Sequence, residues 1–208
     1  MPGAVTNPSS VSPGSATQSA TLSGRAQNAQ VRAARVRLLE GHWDSPFVNQ
    51  AVVRAVYGHE TAFLQDVLRS GVADTRGKPR VALLRELGSN AYLTLRGDLT
   101  ATAAANPQLT GLLELIQSRA GALAWQQVAL LQGLNRVADS AGFVPAALDA
   151  APPIFADATI GEDNPLYKAR LAGRRAFTWP GDELALGITP LSPEQLKLQQ
   201  QGEAFYVQ

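Results

Sequence analysis

Two histidines, His42 and His59, are the side chains best suited to acid–base or metal chemistry in this 208-residue chain. His59-Glu60 opens like the zinc-protease motif, in which two histidines one helical turn apart share a metal. The second ligand position is Phe63, so the motif is incomplete. Glu60 instead suits a helix start, where a carboxylate meets the positive end of the helix dipole. Gly71 to Pro79 has the glycines and lysine of a phosphate loop at the wrong spacing. Lys78 is followed by Pro79 where such a loop needs a hydroxyl for magnesium. There is no G-x-S-x-G elbow to present a nucleophilic serine. Glu162-Asp163 and Asp182-Glu183 are adjacent carboxylates, whose side chains diverge instead of facing one substrate. Both pairs are expected in solvated loops. Arg96-Gly97-Asp98 matches an adhesion tripeptide and reads as a turn, and Arg32, Arg35 and Arg37 read as a solvated basic face.

No catalytic, metal-binding or cofactor-binding residue is therefore expected. The chain has no cysteine, which removes disulfides, zinc thiolates, thiol nucleophiles and C-x-x-C-H haem attachment within these residues. Net charge is +1, so no electrostatic pull toward nucleic acid or an anionic membrane is expected. No apolar run reaches the roughly 20 residues of a membrane span. Met1 to Gly24 lacks the basic and apolar regions of a signal peptide and is rich in Ser, Thr, Ala, Pro and Gly. It reads as a flexible leader over residues 1–24.

The elements that would position any site are helical. Ser45-Pro46, Asn106-Pro107, Asn164-Pro165 and Ser192-Pro193 each pair a capping side chain with a proline. The Ser or Asn oxygen takes a free N–H, and proline loses nothing in the first turn. Pro79 suits a fifth start. Apolar residues then recur at helical spacing: Val31, Ala34 and Leu38, closed by Gly41; Val48, Val52 and Val56, before Gly58; Phe63, Leu64, Val67 and Leu68, before Gly71. Val81, Leu84 and Leu87 follow, closed by Gly88; then Leu109, Leu112, Leu113 and Ile116; then Trp125, Val128, Leu131 and Leu134. The gaps are short, so neighbouring helices run antiparallel as hairpins. Pro46, Pro79 and Pro107 recur at roughly 30-residue intervals, the period of helix-pair repeats. A helical bundle gives the same stripes.

These signals predict an all-α chain. Residues 25–142 form a HEAT-like α–α superhelix of short antiparallel helix pairs, and 143–190 an irregular connector packed on it. In the connector Pro152-Pro153 breaks any helix, Leu166 to Arg175 suits one helix, and Phe177 to Pro190 reads as extended with a turn at Pro180-Gly181. Arg174, Arg175, Phe177 and Trp179 are candidate interface residues, since Arg and aromatic side chains anchor interfaces. Phe177 and Trp179 equally suit pinning the tail to the helical body. A last helix starts at Ser192 and runs to Gln208, as in a piece of a longer protein.

The helical run from Val31 to Val137 resembles the HEAT-like region of a family of modular bacterial oxidoreductases. In that family a β-propeller dehydrogenase-like domain comes first and a c-type cytochrome domain last. Leu166 to Leu186, with Arg174-Arg175-Ala176-Phe177-Thr178-Trp179-Pro180-Gly181-Asp182-Glu183-Leu184, is similar to the connector before the cytochrome. Leu191-Ser192-Pro193-Glu194-Gln195 and Gly202-Glu203-Ala204-Phe205-Tyr206 look like the cytochrome's first helix, so 191–208 is the start of a truncated cytochrome c-like domain. The resemblance implies a spacer and docking module whose partner is a dehydrogenase or cytochrome c domain. It implies c-type haem and electron transfer in the full-length parent, and a periplasmic or secreted location. The chain departs from the pattern in having no C-x-x-C-H and no propeller, so no haem ligand is carried over. The alternative is a free-standing solenoid adaptor for protein–protein interaction, with Trp43 and Trp125 as candidate groove residues.

Overall fold

Helix starts dictated by single side chains set the layout. In the computed structural model, residues 14–97, 99, 105–156 and 161–182 are described, with the backbone alone for 14–26. The helices are α1 (Gly14–His42), α2 (Pro46–Ala55), α3 (Glu60–Ser70), α4 (Lys78–Arg96), α5 (Pro107–Gln117), α6 (Ala124–Ala138), α7 (Pro153–Ala156) and α8 (Pro165–Arg174). Helix takes 68% of the described residues. The strands β1 (Ala146–Ala147) and β2 (Phe177–Thr178) pair in parallel over two residues each. The chain is thus all-α, as its stripes predict.

Three of the four capped starts are realised. Ser45 accepts from the Val48 N–H at 3.3 Å, Asn106 from Gln108 at 2.9 Å and Asn164 from Leu166 at 2.9 Å. Ser192-Pro193 and the rest of 191–208 lie outside the described residues. Pro79 sits in the first turn of α4 as expected, and Gly71 closes α3 in the left-handed region at φ 75°.

Several expectations are corrected. Helix α1 starts at Gly14, so residues 14–24, expected as part of a flexible leader, are helical. Its buried side chains are Val36 and Leu39, while Val31 and Leu38 are exposed, because α1 packs on one side only, against α2 and α3. Pro152-Pro153 does not end a helix; Pro153 opens the short α7, since proline's missing N–H costs nothing in a first turn. Gly88 is not a stop either. Helix α4 runs through it to Arg96.

The reason for Gly88 is a close crossing. A Cβ on Gly88 would stand 2.9 Å from the Leu130 carbonyl oxygen of α6. A Cβ on Gly133 of α6 would stand 2.3 Å from the Arg85 carbonyl oxygen of α4. Each glycine lets the other helix's backbone in. Ser89 fits between them and donates to the Gly133 carbonyl at 2.7 Å. Helix α4 packs most extensively on α6, and α6 next on α8, where Gly173 sits against Leu131. Helix α6 is therefore covered on several sides, and Ala129, Leu130, Leu131 and Leu134 are all buried. One apolar core runs from Val36 to Phe177.

Two substitutions separate this packing from helix propensity. Gly133→Ala is expected to destabilise the fold by at least ~1–3 kcal/mol, the usual cost of overpacking a core. Gly111→Ala, on an open face of α5 with nothing within 4 Å, is expected to stabilise by ~0.5–1 kcal/mol. Urea unfolding followed by circular dichroism checks both; equal effects would refute the crossing. Leu113→Asp, placing a carboxylate in the core, is expected to unfold the chain.

Candidate functional site

The connector is the one segment that concentrates interface-type side chains, and its geometry is built from α8 and β2. Asn164 and Pro165 start α8, which buries Leu166, Ala169 and Gly173 against α6. The chain then leaves α8 at Arg174 and extends through β2 beside β1. Leu148 N–H donates to the Thr178 carbonyl at 2.8 Å and Ala146 N–H to that of Ala176 at 2.9 Å. Pro180-Gly181 turns as expected, with Gly181 at φ 78°.

Phe177 points inward. It is 2% exposed and meets the Tyr92 ring edge-to-face, centroids 5.4 Å apart. Tyr92, from the second half of α4, donates its hydroxyl to the Ala176 carbonyl at 2.7 Å. Trp179 is partly buried and stacks on Phe155 of α7 at 6.0 Å. The Arg174 guanidinium lies 4.9 Å over the Trp179 ring and is ion-paired with Asp182. Asp182 is 5% exposed, so the expectation of a solvated Asp182-Glu183 pair fails at its first member. The arginine neutralises the carboxylate and makes its burial tolerable; Glu183 lies outside the described residues. Arg175 pairs with Asp139 of α6 at 2.8 Å on the surface.

Of the four candidate interface residues, then, Phe177 is consumed by the core. Trp179 and Arg174 form one cluster with Phe155 and Asp182. Arg175 stands apart and exposed. The pinning function expected of Phe177 and Trp179 is what the contacts show. Trp43 is also buried, with Arg80 over its ring at 4.9 Å, and Trp125 is partly buried against the core.

The other motif residues are dispersed. Glu60 is 2% exposed and accepts from the Gly58 N–H at 3.1 Å and from the Thr94 hydroxyl at 3.0 Å. It stands in the first turn of α3 as expected, and also ties that helix to α4. His59, Glu60, Thr61, Gln65, Thr94 and Gln108 line an open cleft of about 400 Å³. Phe63, where a zinc motif needs its second histidine, is fully buried. Arg96 is turned inward, donating to the Val144 carbonyl at 3.2 Å, so the Arg96-Gly97 turn presents no free guanidinium. Arg32 is paired with Asp66 of α3 at 2.7 Å. Glu162 and Asp163 are exposed, as expected.

Sequence reasoning missed Tyr92 and the buried Gln126, which donates to the Ala73 carbonyl at 2.9 Å and accepts from Arg119 at 2.8 Å. Reading past Gly88 would have found Tyr92, because the helical spacing continues through Ala91. Nothing in sequence marks Gln126. Comparison with protein families, curated proteins and solved structures yields no match to this chain.

Burial raises the Tyr92 phenol to about 12, against a smaller opposing pull from the Arg96 guanidinium. A proton bound more tightly in the folded state stabilises it fully below the unfolded value of about 10. That contribution is expected to fade as pH rises from about 10 to 12, and to be absent in Tyr92→Phe; denaturation curves across that range read it. Phe177→Ala is expected to cost ~3–5 kcal/mol. Arg175→Ala, on an exposed pair, is expected to cost under ~1 kcal/mol.

Proposed function

We propose that this chain is a non-catalytic helical spacer and docking module, built as a HEAT-like α–α superhelix. One observation carries the reading. Helices α2, α4, α6 and α8 contact one another in succession, while α1 and α2, α3 and α4, α5 and α6, and α7 and α8 pair locally. Stacked helix pairs that share a continuous core act as a semi-rigid rod. Within the connector β1 pairs with β2 and Arg174 with Asp182, and the Tyr92–Ala176 hydrogen bond ties it to α4. Asp182 is thereby tied to the helical body.

In this proposal the parent is a haem-containing oxidoreductase of the modular family that the sequence resembles. The module holds a c-type cytochrome domain at a set distance and orientation from a dehydrogenase domain. Distance is the functional variable, and a connector bonded to a packed row of helices fixes it better than a flexible linker does. The parent works in the periplasm or outside the cell.

A second reading, a free-standing solenoid adaptor, is favoured by one feature. Phe47 and Tyr57, near the two ends of α2, are 81% and 85% exposed. Large exposed aromatics suit a protein partner.

The coding DNA downstream of the Gln208 codon separates the two. The spacer reading expects the frame to continue into C-x-x-C-H within about ten residues, and the extended product to show a c-type haem spectrum. A stop codon at that point would sink the cytochrome assignment and leave the adaptor.

A further inference from the structure

The stretch from Arg76 to Arg85 carries four cations, Arg76, Lys78, Arg80 and Arg85, and no carboxylate. None of the four has an ion-pair partner among the described residues, whereas Arg32, Arg119, Arg174 and Arg175 all do. The nearest carboxylate upstream, Asp74, is taken by Arg119 and Gln126. Glu86, next along α4, lines a different cleft with Arg136.

Arg76, Lys78 and Arg85 border the same open cleft, the first two as exposed side chains. Together with Gly77, Val81 and Ala82 they line one cleft of about 480 Å³. Arg80 braces its rim: its Nε donates to the Val72 carbonyl at 3.2 Å, its guanidinium lies over Trp43, and it comes within 3.6 Å of where a Gly77 Cβ would stand. Arg85 is oriented by Gln132, which accepts from one of its terminal nitrogens at 2.5 Å. The Arg85 Nε is buried and has no partner.

We propose that this cleft binds a small oxyanion carrying two adjacent phosphoryl groups. The volume lies in the range of small-molecule sites. Guanidinium groups match phosphoryl oxygens with paired N–H donors, and a diphosphate offers enough charge for three cations at once. Val81 and Ala82 supply an apolar wall. The site is not a phosphate loop, because Lys78 is followed by Pro79 and no hydroxyl waits for magnesium. Pro79 also removes one first-turn N–H of α4, so binding rests on the side chains.

Isothermal titration of the full chain with pyrophosphate tests this, with ADP run beside it to tell a free diphosphate from its ester. Saturable one-to-one binding of either is the expected result. The double variant Arg76→Gln/Lys78→Gln, altering two exposed side chains, is expected to weaken it about tenfold or more, and Arg85→Gln likewise. Arg54→Gln, an exposed arginine on α2, should leave it unchanged. No saturation of the wild-type chain at millimolar ligand overturns the proposal. So does equal weakening by Arg54→Gln, which would mark a diffuse charge effect. Circular dichroism of each variant confirms that the fold is intact, and the double variant decides the matter should Arg85→Gln unfold.

Discussion

The backbone-to-backbone approach of α4 and α6 is the contact on which the remainder of the structure depends. Two glycines and a serine make it possible. Gly88 admits the Leu130 carbonyl and Gly133 admits the Arg85 carbonyl, and Ser89 adds a hydroxyl hydrogen bond to the Gly133 carbonyl. With α6 held this close, its opposite side becomes a floor for α8, again through a glycine, Gly173. A side chain at Gly88 or Gly133 would push α4 and α6 apart.

That row gives the connector its anchor. Seating α8 on α6 brings Phe177 to the ring of Tyr92, and the Tyr92 hydroxyl to the Ala176 carbonyl. The Tyr92 contact lies in the second half of α4, eighty-four residues away in sequence. Polar groups drawn into the core along the way are partnered in the same manner. Glu60 joins α3 to α4, and Gln126 joins the segment after α3 to α6. Interaction between elements, more than within them, distinguishes this fold from a set of amphipathic helices.

Two groups of cations contrast. Arg32, Arg119, Arg174 and Arg175 bridge to carboxylates on other elements or neighbouring turns and belong to the architecture. Arg76, Lys78 and Arg85 have no such partner among the described residues and line a cleft. An interface search by residue type chose Arg174 and Arg175, because Arg beside aromatics is a common interface signature. Those charges turn out to be answered inside the chain.

Local chemistry was legible in the sequence by itself. Ser45, Asn106 and Asn164 cap their helices because a side-chain oxygen and a first-turn proline act over two or three residues, whatever the surroundings. The all-α class followed from the apolar spacing, and the role of Glu60 from the helix dipole. Gly88 was misread because a glycine that stops a helix and one that admits a neighbour look identical until the neighbour is known. Asp182 was misread because its burial depends on Arg174, eight residues away and brought alongside only by the turn after β2. The run of cations from Arg76 to Arg85 is visible in the sequence, but their lack of ion-pair partners among the described residues is not. Whether a charge is answered depends on which carboxylates the packing brings within reach, and only the tertiary structure decides that.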